Sequence, residues 1–184
     1  MLFRSDYHAL VAANMVLGGQ YVSRVNLNLR QDKGVTYGAR TAFEFRRAPG
    51  PFALSVSVDK VATALAIRES MKEIADIRGD RPITRVELAD GVAALTRGYA
   101  RNFETFDHVA RAVTQLALFD LPETFYSEFV DRIEALTPEA VMAAAARHLD
   151  PDRLAIAIVA DASIVAPLLD RAGLGTPARL QPRL

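Results

Sequence analysis

Apolar residues along this chain recur at two periods, and the switches between them mark out the elements. Over residues 6–17, Leu10, Val11, Met15 and Leu17 return at helical spacing, and Gly18-Gly19 stops that helix because glycine accepts the left-handed conformation in which helices end. Residues 22–31 predict a second, shorter helix with Val22, Val25 and Leu29 on its buried face and Arg24, Asn28 and Gln31 pointing elsewhere, broken at Gly34. From Val35 the period falls to two, so Val35, Tyr37 and Ala39 share one side of an incipient strand. Residues 41–47 and 51–59 then read as the arms of a hairpin turning at Ala48-Pro49-Gly50, with Phe43 and Phe45 on one arm and Phe52, Leu54, Val56 and Val58 facing inward from the other.

The remainder reads as helices around one further strand. Residues 60–78 carry the stripe Ala64, Ile67, Met71 and Ile74, closed by Gly79-Asp80-Arg81-Pro82. Thr84 with Glu87 three positions on forms a capping box for the next helix. Tyr99, Phe103, Phe106, Phe119, Phe125, Tyr126 and Phe129 are spaced to tie helices at about 84–101, 105–118 and 122–134 into one core. Thr137-Pro138 starts a helix that runs through His148; residues 154–159 form an uninterrupted apolar strand suited to the middle of a sheet, and residues 161–172 a last helix. Residues 173–184 make a proline-containing tail, expected to be flexible.

Composition narrows the function classes. A chain of 184 residues, 51% apolar, withdraws about two-thirds of its extended surface from water on folding, enough for one core. Lysine plus arginine equals aspartate plus glutamate at 22 each, without a long basic run, which argues against nucleic acid and acidic bilayers as partners. No stretch is long and apolar enough to span a membrane, and the first residues carry no secretion signal, so a soluble protein of the bacterial cytoplasm or periplasm is expected. With no cysteine, and with His8, His108 and His148 far apart and lacking a glutamate at a ligating offset, no metal site is expected in this chain. Each histidine falls in an amphipathic helical run, where a solvated or locally bonded imidazole is the plain reading.

The chemistry that remains sits at residues 17–38. Arg30 falls at a helix end and Tyr37 at the mouth of a strand, where two long polar tips can converge. Arginine offers a planar set of donors with permanent charge, and a tyrosine hydroxyl donates to a carbonyl or to the oxyanion it becomes when attacked. The bland alternatives are a dipole or ion-pair role for Arg30, with Asp32 or Glu44, and rim packing for Tyr37. Gly18, Gly19 and Gly34 serve backbone geometry, since no strand precedes them and no phosphate-loop lysine follows.

The runs DYHALVAANMVLGG and SRVNLNLRQDKGVTYG, with LTPEAVMAAAARHLDPDRLAIAIVAD farther on, resemble the insulinase, pitrilysin and mitochondrial processing peptidase family, and specifically its later half, which binds no zinc. That resemblance implies an α+β fold, an antiparallel or mixed sheet packed against helices, of the LuxS/processing-peptidase-like metallohydrolase type. The catalytic half of such proteins carries His-x-x-Glu-His, which is absent here. By the same resemblance Arg30 and Tyr37 match the residues that reach across to a zinc-bearing half or subunit and hold the peptide substrate near the scissile bond. The zinc would then belong to that partner, and this chain would be inactive alone. Gln31-Asp32 departs mildly from the glutamate often found beside that arginine. The alternative is a catalytically silent scaffold or interaction domain of the same fold. The half-domain has strands ahead of its first helix, so residues 1–184 are expected to be a single domain truncated at its N-terminal side, with a sheet edge open to homo-oligomers.

Overall fold

The computed structural model describes residues 6–180, in which a two-stranded antiparallel sheet packs one face against helices. Helix α1 (Tyr7–Asn14) runs on into a widened turn, Met15–Gly19, and α2 (Arg24–Asn26) continues the same way through Leu27–Asp32. Strands β1 (Ala39–Phe43) and β2 (Phe52–Val56) pair with Ala39 opposite Val56 and Phe43 opposite Phe52. Then follow α3 (Thr63–Ala75), α4 (Arg85–Thr96), α5 (Phe106–Phe119), α6 (Phe129–Glu134), α7 (Pro138–His148) and α8 (Ala162–Arg171).

Local signals set the helix starts. Thr84 Oγ1 accepts from the Glu87 N–H while the Glu87 carboxylate accepts from the Thr84 N–H, completing the capping box. Thr105, Thr137 and Asp161 cap α5, α7 and α8 by accepting from backbone N–H groups of the first turn. The core is threaded by α1, α2 and α7: Leu10, Leu17, Val25, Leu29 and Val141 are wholly buried, and Phe43, Phe52, Leu54 and Val56 close it from the sheet.

Val22, expected on the buried face of the second helix, is 52% exposed and precedes α2. Further expectations about the elements need correction. The strand expected at residues 154–159 is chain without regular secondary structure, outside the sheet: Leu154 is half-buried, but Ile156 is 53% exposed and Val159 fully so. Apolarity selects an extended conformation, yet a strand exists only with a partner edge, and β2 stands across a cavity of about 630 Å³ from this segment. Phe106 is not in the aromatic core but 97% exposed, because Phe106, Val109 and Val113 lie on a face of α5 that no described element covers. Tyr99, Phe103, Phe125, Tyr126 and Phe129 do gather: Tyr99 stacks on Phe129 at 4.5 Å and Phe103 meets Tyr126 edge-on at 5.4 Å, with Tyr7 and His8 packed against Phe125. His8, finally, is half-buried rather than solvated: its imidazole sits among Tyr7, Phe125 and Phe129, and its buried Nε2 has no hydrogen-bond partner among the described residues.

Candidate functional site

The segment from Gly18 to Ala39 is held at both ends by unusually close contacts. A Cβ at Gly18 would stand 2.6 Å from Cγ2 and Oγ1 of Thr41, so only glycine lets the end of the first helix lie against β1. At Gly19 a Cβ would meet the Asn14 amide at 2.6 Å. Thr41 donates its hydroxyl proton to Asn14 Oδ1 at 2.8 Å, joining helix and strand at the same point.

Arg24 overturns its expected outward placement. The helical period puts it beside Val25 at the start of α2, and it is only 3% exposed, because α4 brings a carboxylate to it. Arg24 Nε and Nη2 donate to Glu87 Oε1 and Oε2 at 2.7 and 2.9 Å, and Nη1 and Nη2 also donate to the carbonyls of Arg81 and Pro82. A buried guanidinium is tolerable only with this degree of satisfaction. Asn28 is engaged as well, its amide donating to Glu69 and to the buried Glu73. These groups fasten the 24–32 helix to α3 and α4, which fixes the base on which Arg30 stands.

Beyond the helix, Gly34 takes φ +63°, the left-handed turn that lets the Val35 N–H reach back to the Leu29 carbonyl at 3.0 Å. Thr36 then donates its hydroxyl to the Ser57 carbonyl at 2.7 Å, and both backbone groups of Ala39 are taken by the buried Asn26 side chain at 2.8 Å. Tyr37 sits between these two fixed points and is completely exposed, ahead of the strand rather than within it, while Ala39 is buried. Its main chain is therefore held while its phenol stands in solvent.

Arg30 is half-buried, with Cζ 4.0 Å from the centroid of the Tyr21 ring. This cation–π contact is worth about 0.5–1 kcal/mol and presents the flat guanidinium from a fixed direction. Glu44, offered by the sequence as an ion-pair partner, bonds to Arg46 instead. Tyr21 was not singled out by periodicity or motif; an aromatic nine positions before the arginine, across two turns of helix, gives no sequence signal of its own.

The residues that could ligate a metal do not come together. Among the described residues no group of three or more histidine, aspartate or glutamate side chains could hold an ion. His108 Nδ1 lies 3.3 Å from the Arg101 carbonyl and His148 Nε2 lies 2.9 Å from Asp6, while His8 is packed among rings. No helix of the described residues is long and apolar enough to cross a membrane.

The family model of the peptidase M16 inactive domain matches residues 4–95, half of the chain, and the chain belongs to that family. It is the family's catalytically inactive half-domain. The fold is similar to that of a peptidase M16 inactive domain from Pseudomonas fluorescens, at 24% identity and TM-score 0.75, covering 82% of this chain and 36% of that one. A conserved protein from Enterococcus faecalis is similar at 22% identity and TM-score 0.70, covering 78% and 33%. A protease from Helicobacter pylori is similar at 16% identity and TM-score 0.68, covering 82% and 36%. The chain thus spans about a third of the length of these solved proteins. No curated protein matches it.

Proposed function

We propose that this chain is the substrate-binding, non-catalytic half of a zinc metalloendopeptidase, acting beside a zinc-bearing homologous half in the same longer polypeptide or in a separate subunit. The observation that carries the reading is the exposure of Tyr37 between two hydrogen-bonded anchors, in a chain of the inactive-domain family. A phenol exposed completely and yet attached to fixed backbone is poorly explained by packing and well suited to reaching a neighbour. No group among the described residues fits a resident zinc, so this reading assigns the metal, which would supply a polarised water for peptide hydrolysis, to the partner half.

In this reading Tyr37 donates its hydroxyl proton to the substrate carbonyl, a bond that strengthens as that oxygen becomes negative. Arg30, presented on the face of Tyr21, donates to peptide carbonyls beside the scissile bond and holds the backbone extended.

Steady-state kinetics on the reconstituted two-half enzyme test this directly. Tyr37→Phe is expected to lower kcat by roughly ten- to a thousandfold with unchanged melting temperature and zinc content. Arg30→Lys, which keeps charge but loses the planar fork, is expected to weaken peptide binding and turnover together. Intact turnover in Tyr37→Phe would refute the site and leave a scaffold or interaction role in its place.

A further inference from the structure

Arg30 and Tyr37 stand on different elements, the helical run that continues α2 and the segment leading into β1, and one buried side chain bonds to the approaches of both. Asn26 is 5% exposed and lies four residues before Arg30. Its Nδ2 donates to the Ala39 carbonyl and its Oδ1 accepts from the Ala39 N–H, both at 2.8 Å, two residues beyond Tyr37. The same Nδ2 donates to the Gln20 carbonyl at 3.1 Å and to Ser23 Oγ at 3.2 Å. Gln20 precedes Tyr21, whose ring carries the Arg30 guanidinium, and Ser23 is the residue from which α2 starts. A carboxamide offers a donor and an acceptor side by side, as a peptide group does. It can therefore take both backbone groups of Ala39 in the manner of a neighbouring strand and still have a second N–H for the loop at residues 20–23. A carboxylate would accept from the Ala39 N–H but could donate to neither carbonyl. Thr36 shows the contrast: among the described residues it bonds to Ser57 and Gly38, which hold the Tyr37 segment alone.

Granted the substrate-binding role of Arg30 and Tyr37, on which this step rests, we propose that Asn26 is the positioning residue that sets where the Tyr37 phenol stands relative to the Arg30 guanidinium. A peptide backbone gripped at two points reacts only if those points keep their separation, and a misplacement of about 1 Å costs up to about a hundredfold in rate. Asn26 fixes both ends from one buried group, through Ala39 on the side of Tyr37 and through Gln20 and Ser23 on the side of Tyr21. Buried as it is, it touches no substrate and acts through the two residues it places.

Steady-state kinetics on the reconstituted two-half enzyme, with melting temperature and zinc content measured beside them, test this through Asn26→Ser. The shorter side chain leaves space for about one water among the Ala39 N–H and the carbonyls of Ala39 and Gln20, a polar site that a water fills, so the domain is expected to fold. Asn26→Ser is expected to lower kcat by about tenfold or more and to raise KM severalfold, because both grips shift. Thr36→Val, which frees the Tyr37 side alone, is expected to lower kcat at unchanged KM. In a Tyr37→Phe background Asn26→Ser is expected to cost less than about threefold in kcat, since no hydroxyl is left to misplace. Asn26→Asp, which keeps the shape and loses the donor, is run beside it and is expected to give the same pattern. A residue that only anchors the fold would reduce the active fraction, leaving KM unchanged and lowering kcat by the same factor in both backgrounds, and that result in either variant overturns the proposal. A slow Tyr37→Phe beside wild-type kinetics in Asn26→Ser overturns it alone, whereas intact turnover in Tyr37→Phe overturns the site reading and this role of Asn26 together.

Discussion

Replacing Glu87 by glutamine probes how the helix beneath Arg30 is held. The guanidinium of Arg24 is buried at 3% exposure and makes four hydrogen bonds, two of them to the Glu87 carboxylate. Removing one partner of a buried ion pair costs about 3–5 kcal/mol, because the other charge stays desolvated. Here the carbonyls of Arg81 and Pro82 remain as acceptors and the Glu87 side chain is 32% exposed, so we expect about 2–3 kcal/mol. For a domain of this size that lowers the melting temperature by about 4–12 °C, measurable by circular dichroism. The pH dependence supplies a second reading. Burial pushes the Glu87 carboxyl up, but the hydrogen bond from Arg24, the Thr84 N–H, the Arg24 charge and the Thr84 hydroxyl together outweigh it and hold the group at about 2. A carboxyl depressed from its ordinary 4.5 stabilises the fold at all higher pH, and that contribution is lost as pH falls from 4.5 through about 2. The gap between wild type and Glu87→Gln should therefore close over that window. A gap under about 0.5 kcal/mol at neutral pH, or one that persists unchanged in acid, would refute the account.

Gly18→Ala is expected to lower the urea midpoint by an amount equivalent to about 1–3 kcal/mol, since the new methyl would meet Thr41 at 2.6 Å; an unchanged midpoint would mean the strand moves aside freely. Burial first, then the charge of Arg132, lower the His8 pKa against a smaller opposing effect of Glu128. The unfolded chain thus takes up the proton more readily, and stability should decline as pH falls below the ordinary value of 6.5, a slope that His8→Phe removes in pH-dependent unfolding curves. Tyr21→Leu, at an exposed ring, should leave the melting temperature within about 1 °C but raise KM of the reconstituted pair severalfold by freeing the Arg30 guanidinium; an unchanged KM would show that Tyr21 does not orient it.

What the sequence could determine was whatever depends on neighbours a few residues away. The capping box at Thr84 and Glu87, the helix from Pro138 to His148 and the hairpin follow from local backbone satisfaction and period, and each is present, with strand ends shifted by a few residues; the first helical run does end at Gly19, but neither Gly18 nor Gly19 takes the left-handed conformation, and Gly18 is required instead by the approach of Thr41. The family resemblance is of the same kind, because it is carried by runs of consecutive residues, 6–19, 23–38 and 136–161, the first two of which lie within the matched half of the chain. The clamps that hold the main chain beside the exposed Tyr37, from Thr36 to Ser57 and from Asn26 to Ala39, were not legible, because each joins a side chain to backbone well outside its own turn. Arg24 reads as a solvated charge until α4 delivers Glu87 from 63 residues away. Residues 154–159 read as a central strand because apolar composition reports burial tendency, whereas sheet membership depends on which edge the chain meets. Pairing across long separations, of charge with charge or edge with edge, is decided by the packing of helices and sheet, and no local pattern encodes it.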